Sequence, residues 1–185
     1  MYHRRNEIIV SRDCPAVSIP YGDPVTIQEG CVAQITQQLG NSITVFVEGN
    51  LYRVDGADAD ALGLDSFEEE AVIIPEGEIN VETIEETAWK QLRTCYDPEI
   101  PVDIVELGLV YRCDVSETEP GKFKIEIDMT LTAPGCGMGT IIADEAQAKV
   151  KAIQGVEEVI VDLVWDPPWS REMMGERARL ELGLL

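Results

Sequence analysis

Histidine is nearly absent from this sequence: among 185 residues it occurs once, as His3. A hydrolase that uses a cysteine nucleophile needs a base beside the thiol, and that base is most often histidine. The single histidine lies in a terminal segment that we expect to be mobile. The sequence therefore argues against a cysteine–histidine hydrolase.

Basic residues are also scarce, with 14 Lys and Arg against 35 Asp and Glu and a net charge of −21. A protein that binds nucleic acid needs a basic surface to neutralise phosphates, and an anionic membrane surface attracts basic segments in the same way. We therefore expect neither nucleic acid nor membrane among the partners. The charge favours solubility and attraction to basic proteins.

Long apolar runs are missing as well. No stretch approaches the roughly 18 apolar residues of a membrane-spanning helix. Near the start, Ile8–Val10 is too short for a signal-peptide core of about 7–15 apolar residues. We expect a cytoplasmic protein with reduced thiols.

The five cysteines form no close pair. Their gaps fit neither a structural zinc site nor a Cys-x-x-Cys redox motif. No phosphate-binding glycine pattern occurs either. Cys95 and Cys113 lie on the apolar faces of a predicted helix and a predicted strand, so we expect them in the core. The cysteines are Cys14, Cys31, Cys95, Cys113 and Cys136.

The hydrophobic content of 45% indicates a folded chain, and its patterning predicts two parts. Short alternating segments separated by Gly and Asn turns predict a small all-β N-terminal domain over residues 1–66. The acidic stretch 67–78, which contains Pro75 and Gly77, is the predicted linker. Residues 79–185 alternate helix and strand in the order α-β-β-α-β-α. The predicted fold class is α+β, with a three-stranded sheet backed by helices and with a terminal amphipathic helix from Ser170.

One segment, Leu131–Gly139 with the sequence LTAPGCGMG, places Cys136 between glycines where a strand gives way to a helix. Unpaired backbone N–H groups and the helix dipole stabilise a thiolate at such a position. Pro134 stiffens the approach, and Gly135 and Gly137 leave the sulfur accessible. The alternative is a small apolar residue at a strand end.

Two further segments invite both a functional and a structural interpretation. In Asp97–Pro101, Asp97 and Glu99 lie between prolines that would hold the carboxylates in a fixed geometry, or they simply end a helix in solvent. Trp165 and Trp169 flank a Pro-Pro step, and such indoles line recognition surfaces or cover the edge of a small core.

Together the segments DPEIPVDIVELGLVY, LTAPGCGMG and VWDPPWSREMM closely resemble the family of iron–sulfur maturation proteins that includes SufT and PaaD. The resemblance covers residues 79–185. The N-terminal segments Arg12–Ala16, Gly49–Gly56 and Asp58–Gly63 resemble an extension of the same family. It implies a factor that helps mature or deliver iron–sulfur clusters to client apoproteins, together with Suf-type scaffold or carrier proteins. The reactive cysteine of the family corresponds to Cys136 and its acidic loop to Asp97 and Glu99.

Several implications follow from this resemblance. Cys136 would be a reactive thiol or a transient, shared cluster ligand, and Cys14 is the second candidate thiol. The motif residues Thr132, Pro134, Gly135 and Gly137 would form contacts around it. The iron–sulfur cluster would be the only cofactor, and a homodimer is one way to share it. The competing hypothesis is a cysteine-dependent enzyme that acts on a small electrophile, with Asp97 or Glu99 as general base.

Overall fold

The computed structural model describes residues 7–67, 71–75, 79–133 and 137–184. Spatial contacts divide these residues into two compact units. The first unit contains residues 7–67, 98–101 and 137–138, and the second contains 71–75, 79–97, 102–133 and 139–184. Among the described helices, none combines the length and the apolar character needed to cross a membrane.

The first unit is built on a six-stranded antiparallel sheet with strand order β1-β4-β5-β6-β2-β3. A 3-10 helix over Gly56–Leu62 follows the sixth strand, begins at the Asp55 cap and ends at Gly63, whose φ of 72° suits glycine. The strands are β1 (Glu7–Ile9), β2 (Cys14–Ile19), β3 (Pro24–Ile27), β4 (Val32–Leu39), β5 (Ser42–Val47) and β6 (Asn50–Asp55).

Turn chemistry explains the β5–β6 hairpin. The pair Val47 and Asn50 closes a two-residue loop in which Glu48 and Gly49 have φ values of 49° and 91°. Two positive φ values in succession match the twist of the flanking strands, as in a type I′ turn. The core of this unit is aliphatic and includes Ile43, Val45, Val54 and Leu62.

The N-terminal sheet has two features that the sequence did not predict. The sequence pattern did not mark β1 and β2, because β1 is only three residues long and β2 contains Pro15 and Ser18. Proline within a run argues against a strand. The strand β2 then pairs with β6 and β3, which lie on either side of it, so the strand order departs from the chain order.

The second unit contains a three-stranded sheet with order β7-β8-β9, in which β7 and β8 are antiparallel and β8 and β9 are parallel. The α+β class predicted from the sequence is confirmed. Its elements are α1 (Val81–Leu92), β7 (Val110–Glu119), β8 (Lys122–Met129), α2 (Met138–Lys151, whose first residue belongs to the first unit), β9 (Val156–Leu163) and α3 (Glu176–Glu181).

Local sequence explains α1 and β8. The side chain of Asn80 accepts a hydrogen bond from the Thr83 amide at 3.0 Å and caps α1, whose face with Ile84, Ala88 and Leu92 is buried. In β8 buried and half-buried residues alternate strictly, so one face of the strand packs in the core. Both elements were predicted from these periodicities.

Two segments of the second unit differ from expectation. Within the predicted linker, Val72 forms a parallel bridge with Ile153, and Ile74 is buried, so residues 71–75 pack against this unit. The terminal helix is shorter than predicted because the chain leaves helical geometry at Met174, whose side chain is buried. The helix α3 resumes only after Gly175, which donates its amide proton to the Glu106 carbonyl oxygen at 2.8 Å.

The outer edge of β9 is covered by side chains of α2. The Gln147 amide donates a hydrogen bond to the Val159 carbonyl oxygen at 2.7 Å, and the Lys151 ammonium donates to the Glu157 carbonyl oxygen. Residues four apart on the helix thus meet carbonyls two apart on the strand. Two backbone acceptors that an edge strand would otherwise expose are satisfied within the unit.

Candidate functional site

The LTAPGCGMG segment connects β8 to α2, as its pattern predicted. The strand ends at Met129, Leu131 is buried and Thr132 is exposed, and α2 begins at Met138. Pro134, Gly135 and Cys136 lie outside the described residues. The structure therefore provides the strand before the thiol and the helix after it, and the role of Cys136 itself remains a prediction.

Gly137, the residue after Cys136, belongs to the first unit and lies against the turn between β2 and β3. A β-carbon added at Gly137 would overlap the carbonyl oxygen of Tyr21, and one added at Gly22 would overlap the carbonyl oxygen of Gly137. Backbone therefore packs directly on backbone here. Any side chain at either glycine would force the two segments apart.

The acidic loop Asp97–Pro101 is only partly solvent-exposed. Glu99 is exposed and Asp97 is half-buried, and the Asp97 amide donates to the Val102 carbonyl oxygen at 3.3 Å. Pro98 is buried, and its carbonyl oxygen accepts a hydrogen bond from the Thr44 hydroxyl of β5 at 3.2 Å. A groove of about 680 Å³ runs beside the loop and is lined by Thr36, Gln37, Gln38, Leu39, Thr44, Leu51, Pro98, Glu99 and Pro101.

The tryptophan segment belongs to the second unit. The indole nitrogen of Trp169 donates to the Leu107 carbonyl oxygen at 2.9 Å, and the Tyr111 hydroxyl donates to the Pro167 carbonyl oxygen at 3.0 Å. Trp169 is half-buried, whereas Trp165 is 44% exposed. Trp169 thus fastens the segment to the rest of the unit, and Trp165 presents its ring to solvent.

The motifs fall into different units. Pro98–Pro101 and residues 137–138 belong to the first unit, and Trp165 and Trp169 belong to the second.

Burial distinguishes the cysteines. Cys95 and Cys113 are core residues, at 0% and 4% exposure, which confirms that both are buried. Cys113 lies in β7 as predicted, whereas Cys95 follows the end of α1 at Leu92 and does not lie on the helix. Burial, more than the nearby Glu85 and Asp114 carboxylates, raises the pKa of Cys113 to about 12.

Cys14, the second candidate thiol, lies in the core. It is fully buried at the start of β2, and burial, with a smaller effect from Asp58, raises its pKa to about 11. A protonated thiol in a core is a poor nucleophile and a poor ligand. Cys31 is half-buried and lines a pocket of about 250 Å³ with Glu48 and Tyr52.

Within residues 7–67, 71–75, 79–133 and 137–184, no group of three or more His, Cys, Asp or Glu side chains is arranged to hold a metal ion. The buried cysteines lie in separate cores, with Cys14 in the first unit and Cys95 and Cys113 in the second. Each of these three thiols is buried and would have to leave its core to bind a metal ion.

Sequence reasoning missed the turn at Tyr21–Gly22 and the buried hydroxyl of Thr44. The order Pro20-Tyr21-Gly22 signals a turn, and Thr44 reads as an ordinary strand residue. Nothing local indicates that they meet Gly137 and Pro98, because those contacts join residues far apart along the chain.

Comparison with known proteins bears on the resemblance. Residues 85–161 match the model of a family described as iron–sulfur cluster assembly protein. An Fe–S protein maturation auxiliary factor of Porphyromonas gingivalis is 44% identical over 101 residues, which are 55% of this chain and 92% of that protein. The Fe–S protein maturation auxiliary factor SufT of Staphylococcus aureus is 40% identical over 88 residues, 48% of this chain and 96% of that protein.

A solved structure is similar as well. A crystal structure of a domain of unknown function from Bacillus anthracis has 35% identity and a TM-score of 0.49, covering 56% of this chain and 95% of that one. The family model leaves the N-terminal sheet outside its matched residues, so the resemblance of the segment around Cys14 remains a prediction. On the identity and coverage of these relatives, the chain belongs to the family of Fe–S protein maturation auxiliary factors.

Proposed function

We propose that this protein helps deliver iron–sulfur clusters to client apoproteins and that Cys136 is its working thiol. The observation that supports the proposal most is family membership, at 44% identity over nearly the whole length of a maturation factor. The order of strand, glycine-flanked cysteine and helix adds a physical reason. A cysteine there can ionise more readily than the buried thiols of the same chain.

The motif residues around Cys136 and those of the acidic loop have different proposed roles. Thr132 is exposed beside the loop and is available to a bound partner. In the sequence, Pro134 restricts the backbone before Cys136, and Gly135 and Gly137 add no side chains next to it. Asp97 and Glu99 of the acidic loop are proposed contacts for a cluster carrier or a client.

The tryptophan segment is a further proposed contact for partner proteins. Trp165 is the better candidate for a direct contact because its ring is 44% exposed. Trp169 holds the segment in place through its bond to Leu107. Aromatic rings on a rigid segment are frequent anchors in protein interfaces.

The cluster is cargo in this proposal, and it is shared. A stable iron–sulfur cluster takes about four protein ligands, mostly thiolates. Cys136 supplies one, so a second copy of the chain, a Suf-type scaffold or carrier, or a small thiol supplies the others. We place the protein in the cytoplasm, where thiols stay reduced. Residues 79–185 form the proposed maturation domain, which follows the β-rich part at 1–66 and the acidic stretch 67–78.

The Cys136→Ser variant tests this function. Serine removes the thiolate and changes little volume, so stability should fall by less than about 1.5 kcal/mol, as for near-isosteric replacements. The rate at which a cluster-loaded scaffold activates an apoprotein under anaerobic conditions should nevertheless fall sharply. Cys31→Ser is the matched control, because it removes a half-buried free thiol from another part of the chain.

Two outcomes would contradict the proposal. Normal client activation by a folded Cys136→Ser variant would show that the thiol is dispensable. Turnover of a small electrophile that depends on Cys136 and on Asp97 or Glu99, with no effect on client activation, would instead identify a cysteine-dependent enzyme.

A further inference from the structure

The side chains of α2 that cover the outer edge of β9 reach only the first half of that strand. Gln147 and Lys151 bond to the carbonyl oxygens of Val159 and Glu157. The second half of the edge, Val161–Leu163, lies beyond these two bonds. A strand edge that is left open can pair with a further strand.

The hydrogen-bond pattern of β9 identifies the backbone groups that face outward. The Val164 amide donates to the Met129 carbonyl oxygen at 2.8 Å, and Met129 is paired with Leu163. In a parallel ladder the backbone groups of alternate residues point to the same neighbouring strand. Those of Asp162 and Val164 therefore point toward β8, whereas those of Val161 and Leu163 point away from the sheet.

The outward backbone groups of Val161 and Leu163 form no hydrogen bond in the part of the chain that the structure describes. Each residue contributes one N–H donor and one C=O acceptor. Neither residue is fully buried. An added strand would bond to these donors and acceptors, and main-chain bonds of this kind provide the affinity when a peptide extends a sheet.

The other edge strand of the sheet, β7, is irregular. Its pairing with β8 shifts register twice, after Val110 and after Glu117. Bulges twist an edge away from further pairing. The pairing of β9 with β8 is regular from Glu158 to Leu163, so β9 offers the more suitable edge for another strand.

Two rows of side chains determine which peptide suits the edge of β9. Val159, Val161 and Leu163 pair with buried residues of β8 and share the apolar face of the sheet. Glu158 and Asp162 lie on the opposite face, where both are exposed and neither forms an ion pair within the described ranges. A strand added here would place alternate side chains beside the apolar row and beside the two carboxylates.

The cations on the acidic face are already paired. Arg112 lies 2.6 Å from a carboxylate oxygen of Asp114 and 2.7 Å from one of Asp128. Lys124 lies 3.3 Å from the Glu126 carboxylate. These cations belong to β7 and β8, so the carboxylates on β9 are left to attract basic side chains from outside the chain.

We propose that the Val161–Leu163 edge binds an extended segment of a partner protein in which basic and apolar residues alternate. The segment adds a strand to the sheet. Its apolar side chains lie beside Val161 and Leu163, and its basic side chains contact Glu158 and Asp162. This interaction goes beyond the proposed function, because it requires neither Cys136 nor a cluster.

Two blocked peptides of equal composition provide the first test. One has the alternating order Lys-Val-Lys-Val-Lys-Val-Lys, and the other has the order Lys-Lys-Lys-Val-Val-Val-Lys. Binding of each fluorescein-labelled peptide to the full chain is measured by anisotropy at physiological ionic strength. The alternating peptide should bind at least about tenfold more tightly, because only it matches both rows. Equal affinities would show general attraction to an acidic protein and would overturn the proposal.

Charge reversal locates the site. Asp162→Lys should weaken binding of the alternating peptide about fivefold or more, since like charges across paired strands are unfavourable. Glu181→Lys is the matched control, because it makes the same change of charge at an exposed residue of α3 and should leave the affinity unchanged. An equal effect of the two variants would contradict a site at β9.

Amide hydrogen exchange of the wild type, followed by NMR, tests the backbone bonds directly and needs no variant. A saturating amount of the alternating peptide should slow exchange at Val161 and Leu163 at least about tenfold and leave β7 unchanged. Unchanged exchange at both residues would exclude strand addition. Cys136→Ser should bind the peptide as the wild type does, so failure of the proposed function is distinguishable from failure of this inference.

Discussion

At the scale of single residues, burial sorts thiols that look alike in the sequence. Cys14 and Cys113 lie in cores that raise their pKa values to about 11 and about 12. The charged form of a thiol is disfavoured where water is excluded, so these two remain protonated at neutral pH. Reactivity in the folded protein should therefore be concentrated outside the cores.

Alkylation kinetics provide the corresponding prediction. At neutral pH iodoacetamide should label Cys136 first and Cys31 second, with Cys14, Cys95 and Cys113 labelled only when the chain unfolds. Raising the pH toward 11 should accelerate labelling of Cys14 before Cys113, because the Cys14 pKa is the lower of the two. Peptide mass spectrometry over time measures the order, and early labelling of Cys113 would show that its core opens readily.

Some of these placements could be predicted from the sequence. In the sequence Cys95 and Cys113 each continue a regular apolar spacing, which predicts their burial correctly, although α1 already ends at Leu92. Cys14 could not be placed in this way, because polar residues precede it and Pro15 follows. Its core is completed by β6 and the 3-10 helix, where Arg12 pairs with Asp58 at 2.9 Å and also with Asp60. Contacts between residues so far apart along the chain produce no local sequence pattern, so they could not be predicted.

At the scale of secondary-structure elements, those with a regular local pattern were predicted correctly. The helix α1 and the strand β8 combine a cap or an alternation with apolar spacing, and both occur where expected. The short helix α3 was predicted too long, since burial of Met174 and the bond from Gly175 to Glu106 override a helical pattern that begins at Ser170. Tertiary packing therefore determines the residue at which this helix begins.

Glu106 is the residue that fixes the start of α3. Its carboxylate accepts from the backbone amides of Arg177 at 2.9 Å and Ala178 at 3.4 Å. Replacing it in Glu106→Ala should cost about 1 kcal/mol, as for loss of a helix cap, and should speed amide exchange across Glu176–Glu181. Glu172→Ala removes an exposed carboxylate from the same segment and should change neither quantity.

Denaturant unfolding and hydrogen exchange together check this prediction. If Glu106→Ala retained slow exchange in α3, the helix would be held by packing of Ala178, which is fully buried, and the carboxylate would be incidental.

At the scale of the whole molecule, the family motifs could be recognised from the sequence. The contact between the N-terminal sheet and Gly137 could not be predicted. The motifs are short and local, and their order along the chain suffices to recognise the family. The contact of Gly22 with Gly137 depends on how a turn and a distant loop meet in space. No sequence pattern links two residues so far apart along the chain, so this contact could not be predicted.

One chain provides a single proposed thiol ligand, Cys136, and this leads to a prediction about cluster binding. The protein purified in air should contain little iron, and anaerobic reconstitution should give at most about one cluster per pair of chains, since a cluster takes about four ligands. Cys136→Ser should abolish that binding, and Cys31→Ser should not. Iron analysis with native mass spectrometry measures the stoichiometry. A stable cluster on a monomer would contradict the shared-ligand proposal.

The side chains that cover the edge of β9 have a consequence for colloidal behaviour. An edge strand with unpaired backbone groups can pair with strands of other polypeptides. Partly folded apoproteins expose unpaired strands of this kind. Gln147 and Lys151 occupy two of the carbonyls at which such pairing would start. A double variant, Gln147→Ala with Lys151→Ala, should therefore self-associate and co-precipitate with unfolded chains. Lys90→Ala with Gln91→Ala, the same residue types on α1, should remain dispersed in sedimentation velocity runs. Aggregation resistance in this protein would then depend on two side chains outside the motifs proposed to handle the cluster.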